Sequence, residues 1–253
     1  MKNLLHTILF ILLMLFYVQG FAWGRKGHEL IMELAFSRLT PLEQQKVIRY
    51  LDGMSIQSAS TWMDEIRNDK RYDYLGTAHY INIPRPNGLA KIADNDIQRE
   101  LNVTLLEVKS LRSLPDSVIK LDLLKLIHLI GDIHQPLHTG YEVDRGGNDI
   151  TVLFNAKKTN LHRLWDSQLI ESLKIDSSSV NAYLSNLTRK QMAEYSKTDV
   201  ALWIKESQSH LDQLYQFQNG VIDDKYVNDA KPVIEEQLAK AVLRLERVLK
   251  RMF

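Results

Sequence analysis

The chain contains no cysteine, which excludes disulfide staples and any metal site built on thiolate. A bound metal must therefore use histidine, carboxylate or backbone ligands. An excess of charge is missing as well: 32 Lys and Arg stand against 31 Asp and Glu, for a net charge of +1. With no dominant basic face, contact with a polyanion has to be local. The sequence shows no internal repeat, low-complexity tract or linker, and 253 residues suit one domain with a continuous core and a recessed site. Its longest apolar run, Ile8 to Val18, is shorter than the ~20 residues needed to span a bilayer. That run follows Lys2 and precedes the small residues Gly20 and Ala22, the layout of a signal peptide. The expectation is a leader over residues 1–22 that is cleaved after Ala22. Residues 23–253 would form the mature domain, exported to the periplasm or the medium, monomeric and without stable membrane association after cleavage.

Beyond the leader, helix signals dominate. Thr40-Pro41-Leu42-Glu43 combines an N-cap hydroxyl, a proline at the first helical position and a capping-box glutamate. Ala59 to Asn68 and Asn95 to Leu114 carry apolar residues at helical spacing. Ser117 to Ile133 is apolar on nearly every side, which predicts a buried central helix ended by Gln135-Pro136. The turn-rich segment Asp144 to Asn148 precedes DITVLF, the one convincing strand run, and predicts a small hairpin. Helix resumes after Asn160 and closes the chain with an apolar stripe and a basic last turn. The expected fold is mainly α, a single helical domain with a small β-hairpin.

Histidine is scarce, with eight in the chain, and most of those beyond the leader lie near a carboxylate. His128 and Asp132 are four apart on the predicted central helix, so both project from one face; His162 and Asp166 repeat the spacing. Burying such a pair among apolar residues costs several kcal/mol unless a partner compensates. A divalent cation compensates; so does a simple His-Asp hydrogen bond. Two pairs together with His138, six residues beyond Asp132, favour the cation, and the imidazole and carboxylate donors suit zinc over calcium or magnesium.

The segments WGRKGH, TWMDEIR, AHYIN, HLIGDIHQPLH, GGN and NLHRLWD occur in the order found in the S1/P1 nucleases, and over nearly the whole mature length the chain resembles that family. The resemblance implies the helical phospholipase C/P1 nuclease-like fold and a cluster of three zinc ions. Asp64, His79, His128 and Asp132 would hold one ion, and His138, His162 and Asp166 a second. Trp23, through a free amine and its carbonyl, and His28 would hold the third, with Asp132 bridging. Cleavage of the leader would then be part of the mechanism, because an amide nitrogen is a far poorer ligand than an amine.

On the same basis Asp64, Arg67 and Asp132 are the expected catalytic residues, Arg67 stabilising charge on the phosphate oxygens. Tyr80 is the expected stacking platform for a base and Asn82 its hydrogen-bonding partner; fungal relatives commonly carry Phe and Asp there. Asn160 matches a position that contacts phosphate or base, and a helix cap is its competing role. The family pattern does not use His134, which reads as a structural or supporting residue, and His210 reads as an exposed helix residue. The implied activity is zinc-dependent hydrolysis of single-stranded DNA and RNA to 5'-phosphorylated products, with action on 3'-nucleotides left open. A zinc phospholipase C is the nearest rival, but those enzymes typically have HxxxE where this chain has His162 and Asp166. A non-catalytic zinc- or nucleotide-binding protein is the other alternative, and no ligand position is lost to support it.

Overall fold

The computed structural model describes residues 23–84 and 96–253. Residues 1–22, expected as a leader, and Asn95 at the start of one predicted helix lie outside the described residues. Helices α1 (Arg25–Ser37), α2 (Pro41–Leu51) and α3 (Ile56–Glu65) come first, followed by α4 (Ile97–Glu107) and α5 (Asp116–Ile133). A hairpin of β1 (Thr151–Phe154) and β2 (Lys157–Asn160) comes next. The short helices α6 (Leu161–Arg163) and α7 (Leu169–Ser172) flank a π-helical stretch, Leu164–Gln168. Then come α8 (Ser177–Ser185), α9 (Arg189–Tyr195), α10 (Val200–Gln208), α11 (Leu211–Leu214) and α12 (Asp224–Met252). The architecture is the mainly α one expected, and no helix among the described residues is long and apolar enough to cross a membrane.

The predicted start of α2 is built as its sequence requires. Glu43 N–H donates to the Thr40 hydroxyl, and the Glu43 carboxylate accepts from Thr40 N–H at 2.7 Å, closing the capping box, a pairing that satisfies two otherwise orphaned helix donors. The helix expected from Ala59 begins earlier, at Ile56, because Ser55 caps it, and it ends at Glu65. That expected over Asn95 to Leu114 is α-helical to Glu107 and continues as a 3-10 turn, Val108–Ser113.

Helix α5 is the central element. Every residue from Asp122 to Ile133 is buried, as its all-round apolar sequence predicts, and α1, α3, α4 and α12 pack around it. It stops at His134, after which Pro136 opens a 3-10 turn, Pro136–Thr139. Strands β1 and β2 pair antiparallel, with Thr151 opposite Asn160 and Phe154 opposite Lys157. Asn155 and Ala156 at the turn take φ of 50° and 59°, the backbone hand that matches strand twist in a two-residue hairpin.

Candidate metal centre

The site forms where α1, α3, α5 and the turns after α5 and β2 converge. Helix α5 contributes His128 and Asp132 from one face, one turn apart, and both are fully buried. Asp132 is the hub. Its Oδ1 lies 3.2 Å from His28 Nε2, and its Oδ2 lies 2.9 Å from His79 Nδ1 and 3.3 Å from His128 Nε2. Asp64, from α3, approaches His128 Nε2 at 3.7 Å and His79 Nδ1 at 4.0 Å. The His28 ring stacks on that of His128 with centroids 4.1 Å apart. This close approach needs Gly131, because a Cβ there would sit 2.7 Å from His28 Nδ1.

A second group adjoins the first. His138 Nε2 is 3.9 Å from Asp166 Oδ1, and His162 Nε2 is 3.5 Å from Asp166 Oδ2. The His138 and His162 rings stack at 5.0 Å, and His138 Nδ1 lies 4.0 Å from Asp132 Oδ1, so the two groups are continuous. Asp166 sits in the π-helical stretch, a distortion that recurs at functional sites.

Backbone carbonyls orient three of the imidazoles. His128 Nδ1–H donates to Ser60 O at 2.8 Å, His138 Nδ1–H to His79 O at 2.7 Å and His162 Nδ1–H to Gly146 O at 2.7 Å. Each bond places a proton on Nδ1 and turns Nε2 toward the carboxylates, which is how proteins prepare histidine for a metal. Burial lowers the pKa of His138 to about 3 and of His162 to about 4, so both are neutral at pH 7. His28 and His79 are likewise lowered, chiefly by burial. Burial opposes charge on His128 too, but the carboxylates of Asp132 and Asp64 override it and push its pKa up to about 9. The first group thus attracts positive charge even without an ion.

Several buried polar atoms here have no hydrogen-bond partner: both His28 ring nitrogens, Asp132 Oδ1, His138 Nε2 and Asp166 Oδ2. Each such atom costs about 1–3 kcal/mol when left unsatisfied. Three sets bring their potential ligand atoms within 4.8 Å of one another: His28 with Asp64 and His128, His79 with His128 and Asp132, which share His128, and separately His138 with His162 and Asp166. The donor chemistry and the orphaned atoms fit divalent cations, zinc above all. Trp23 is fully buried. Gly24 N–H donates to Asp166 O at 2.6 Å, and a Cβ on Gly24 would meet Ser167 Oγ, which would have to rotate away.

Above the second group opens a cleft of about 460 Å³ lined by Arg67, Tyr80, Asn82, Arg145, Asn148 and the two histidines, among others. Arg67 Nη2 lies 2.9 Å from Asp64 Oδ1, an ion pair that holds the guanidinium over the site. The segment after His79 runs extended, with Ile81 N–H donating to His138 O at 2.8 Å and Ile83 N–H to Gly140 O at 2.9 Å. Alternation along it turns Ile81 and Ile83 against the core and Tyr80 and Asn82 to the cleft. Asn160 acts as a helix cap, its Oδ1 accepting from Arg163 N–H at 2.7 Å.

His134 points away from the site, donating from Nδ1 to Ile130 O at 2.6 Å and accepting from Arg244 Nη1 at 2.6 Å, the structural role expected of it. His210 is half-buried at the start of α11, not exposed as its sequence context suggested.

Two contributors escaped sequence reasoning. Gln135, read only as a helix terminator, is fully buried; its Nε2 donates to Asp166 Oδ1 at 2.5 Å and its Oε1 accepts from Leu137 N–H at 2.6 Å. Arg145, read as part of a turn, reaches the cleft. Gln135 carries no local signal because Asp166 is brought near by the fold, and Arg145 carries none because the cleft it lines is assembled from distant segments.

A model of the S1/P1 nuclease family matches residues 23–253. Endonuclease 4 of Arabidopsis thaliana is 28% identical, with 91% of this chain and 89% of that protein aligned. Endonuclease 2 of the same plant is 28% identical over 91% and 90% of the two chains. Nuclease S1 of Aspergillus oryzae is 27% identical over 89% and 90%. With the family match running from Trp23 to Phe253 and taking in every residue of the buried His/Asp centre, the chain belongs to the S1/P1 nuclease family.

Proposed function

We propose that this protein is an exported, zinc-dependent endonuclease that hydrolyses phosphodiester bonds of single-stranded DNA and RNA and leaves 5'-phosphates. The observation that carries this reading is the floor of the cleft, where buried imidazoles and carboxylates with unsatisfied atoms lie beside an arginine and an exposed tyrosine. Family membership and relatives named as nucleases support the same substrate class.

Asp64, His79, His128 and Asp132 would hold one zinc ion, His138, His162 and Asp166 a second, and Trp23 and His28 a third. Bound zinc supplies Lewis acidity toward phosphate oxygens and brings the deprotonation of water into the neutral range. Asp132, touching both the His28 and the His79–His128 sides, is suited to bridge. Arg67 is held by Asp64 with its side chain 25% exposed, so its guanidinium is oriented before substrate arrives. It would donate to the phosphate oxygens on which charge grows, an interaction that gains most in a preorganised, partly dry site. Tyr80, 37% exposed at the cleft, offers a ring face for one base, and Asn82 lies on the same side of its segment. Asn160, occupied in capping, would shape the entrance through α6 and its His162.

The test is product analysis with the mature chain beginning at Trp23, comparing single-stranded DNA, RNA, a 3'-nucleotide and phosphatidylcholine with and without chelator. Chelator-sensitive release of 5'-mononucleotides is expected. Release of diacylglycerol with nucleic acid left intact would assign the metal scheme to a lipid phosphodiesterase instead.

A further inference from the structure

The cleft carries a second arginine, Arg145, contributed by a different chain segment from Arg67. Its side chain is 70% exposed against 25% for Arg67, so Arg67 stands at the floor and Arg145 at the rim. The backbone that presents it is unusual. Arg145, Gly146 and Gly147 have φ of 51°, 63° and 82° in succession, a left-handed run that glycine accepts and arginine resists. Such conformations persist where the surroundings enforce them, and they concentrate at functional positions.

The surroundings here are explicit. Arg145 O accepts from Asn148 Nδ2 at 2.9 Å, and Gly147 N–H donates to the buried Asp144 at 2.8 Å. Asp144 is held in turn by the Tyr215 hydroxyl at 3.0 Å. Gly146 O, the next carbonyl, is the one that orients His162. The loop that aims a ligand histidine therefore also aims the Arg145 side chain.

The guanidinium is held in a particular way. Its Nε and Nη2 donate to the Asp149 carboxylate at 3.1 and 2.9 Å, so one edge of the fork is engaged. Among the described residues the end-on edge has no acceptor, and its two parallel N–H groups, one from Nη1 and the second of Nη2, match the oxygens of a phosphodiester. As a surface ion pair with both partners more than half exposed, Arg145–Asp149 contributes little to stability. Its position at the cleft mouth makes better sense as substrate binding.

We propose that Arg145 binds a phosphate of the nucleic-acid chain next to the one being cleaved, so that it favours polynucleotides over substrates with a single phosphate. This rests on the nuclease reading above. Arg67 serves the reacting phosphate at the floor, whereas Arg145 meets a neighbouring phosphate as the strand leaves the cleft. A local contact of this kind is what a chain of net charge +1 requires to hold a polyanion.

The experiment compares the zinc-loaded wild type with Arg145→Gly and Arg145→Lys on a single-stranded DNA oligonucleotide and on bis-p-nitrophenyl phosphate, which has no neighbouring phosphate. Glycine suits the positive φ, so Arg145→Gly keeps the loop, and unchanged zinc content verifies this. The expected result for Arg145→Gly is a KM for the oligonucleotide raised about five- to tenfold with kcat unchanged. Kinetics on the small ester should not move. The slope of log(kcat/KM) against log salt should become shallower by about 0.7, the value for one phosphate contact on a single strand. Arg145→Lys keeps the charge and should retain the slope while losing the fork, with KM raised only about twofold.

An unchanged salt slope, or equal losses on the two substrates, would overturn the proposal while leaving the nuclease reading intact. Hydrolysis of the small ester by the wild type with no cleavage of DNA would instead overturn the nuclease reading, and the Arg145 proposal with it.

Discussion

Helix α5 buries histidine on two sides. On one, His128 and Asp132 meet His28 and His79, and several nitrogens and oxygens end without a hydrogen-bond partner. On the other, His134 is equally buried but both its ring nitrogens are bonded, to Ile130 O and to Arg244. Arg244 is satisfied in turn by Glu206 at 2.6 Å and by Tyr195 O at 3.0 Å, and its guanidinium lies over Trp203. Depth of burial therefore does not separate a ligand histidine from a structural one. What sets His28 and His138 apart from His134 is that ring nitrogens on them have no hydrogen-bond partner, a costly state for a buried polar atom that a bound ion would relieve.

Metal removal should break the comparison most sharply. With zinc at about a thousand times its Kd, binding stabilises the fold by about 4 kcal/mol, and a chelator should abolish hydrolysis and lower Tm by about 10 °C. Calorimetry with and without chelator reads this directly; an unchanged Tm would mean that the orphaned atoms are not a metal site.

Arg244→Ala attacks the satisfied side. It leaves Glu206 and His134 without their buried partner, and it should cost about 3–5 kcal/mol in chemical denaturation. Zinc bound per folded chain should stay the same. Loss of zinc with stability retained would erase the distinction between the two sides of α5.

Arg67→Ala works within the metal side, separating charge stabilisation from metal retention. A fall in kcat of about 10²–10³ is expected, with zinc content measured by elemental analysis unaltered. Smaller again is Gln135→Leu, which removes the donor to Asp166 Oδ1. Zinc affinity should weaken roughly tenfold to a hundredfold in competition with a chromophoric chelator, and no change would make Gln135 a packing residue alone.

Much of this centre is legible in the sequence. The HxxxD spacing at His128 and Asp132 predicts two side chains on one helical face, and that is where they lie. The second pair is harder. His162 and Asp166 have the same spacing, but the helix between them widens into a π-helical turn, which no periodicity announces. Asn160 illustrates a position whose two readings the sequence leaves open: its cap geometry is local and therefore visible, while a ligand contact depends on what lies across the cleft. Gln135 is hidden for that same reason, since Asp166 comes from distant, irregular backbone, and Arg145 because the cleft it lines exists only in the folded chain.

The sequence by itself determined the helical periodicities, the Thr40 capping box, the hairpin and the donor chemistry, because each depends on residue type over a few positions. The absence of cysteine alone restricted the ligands to histidine, carboxylate and backbone. Only the tertiary structure decided which histidines face one another and which carbonyl sets each tautomer. It likewise decided that His134 is satisfied while His28 is not. Those outcomes rest on contacts between residues far apart in the chain, such as His134 and Arg244, and the free energy of a buried polar group depends on all of its neighbours at once.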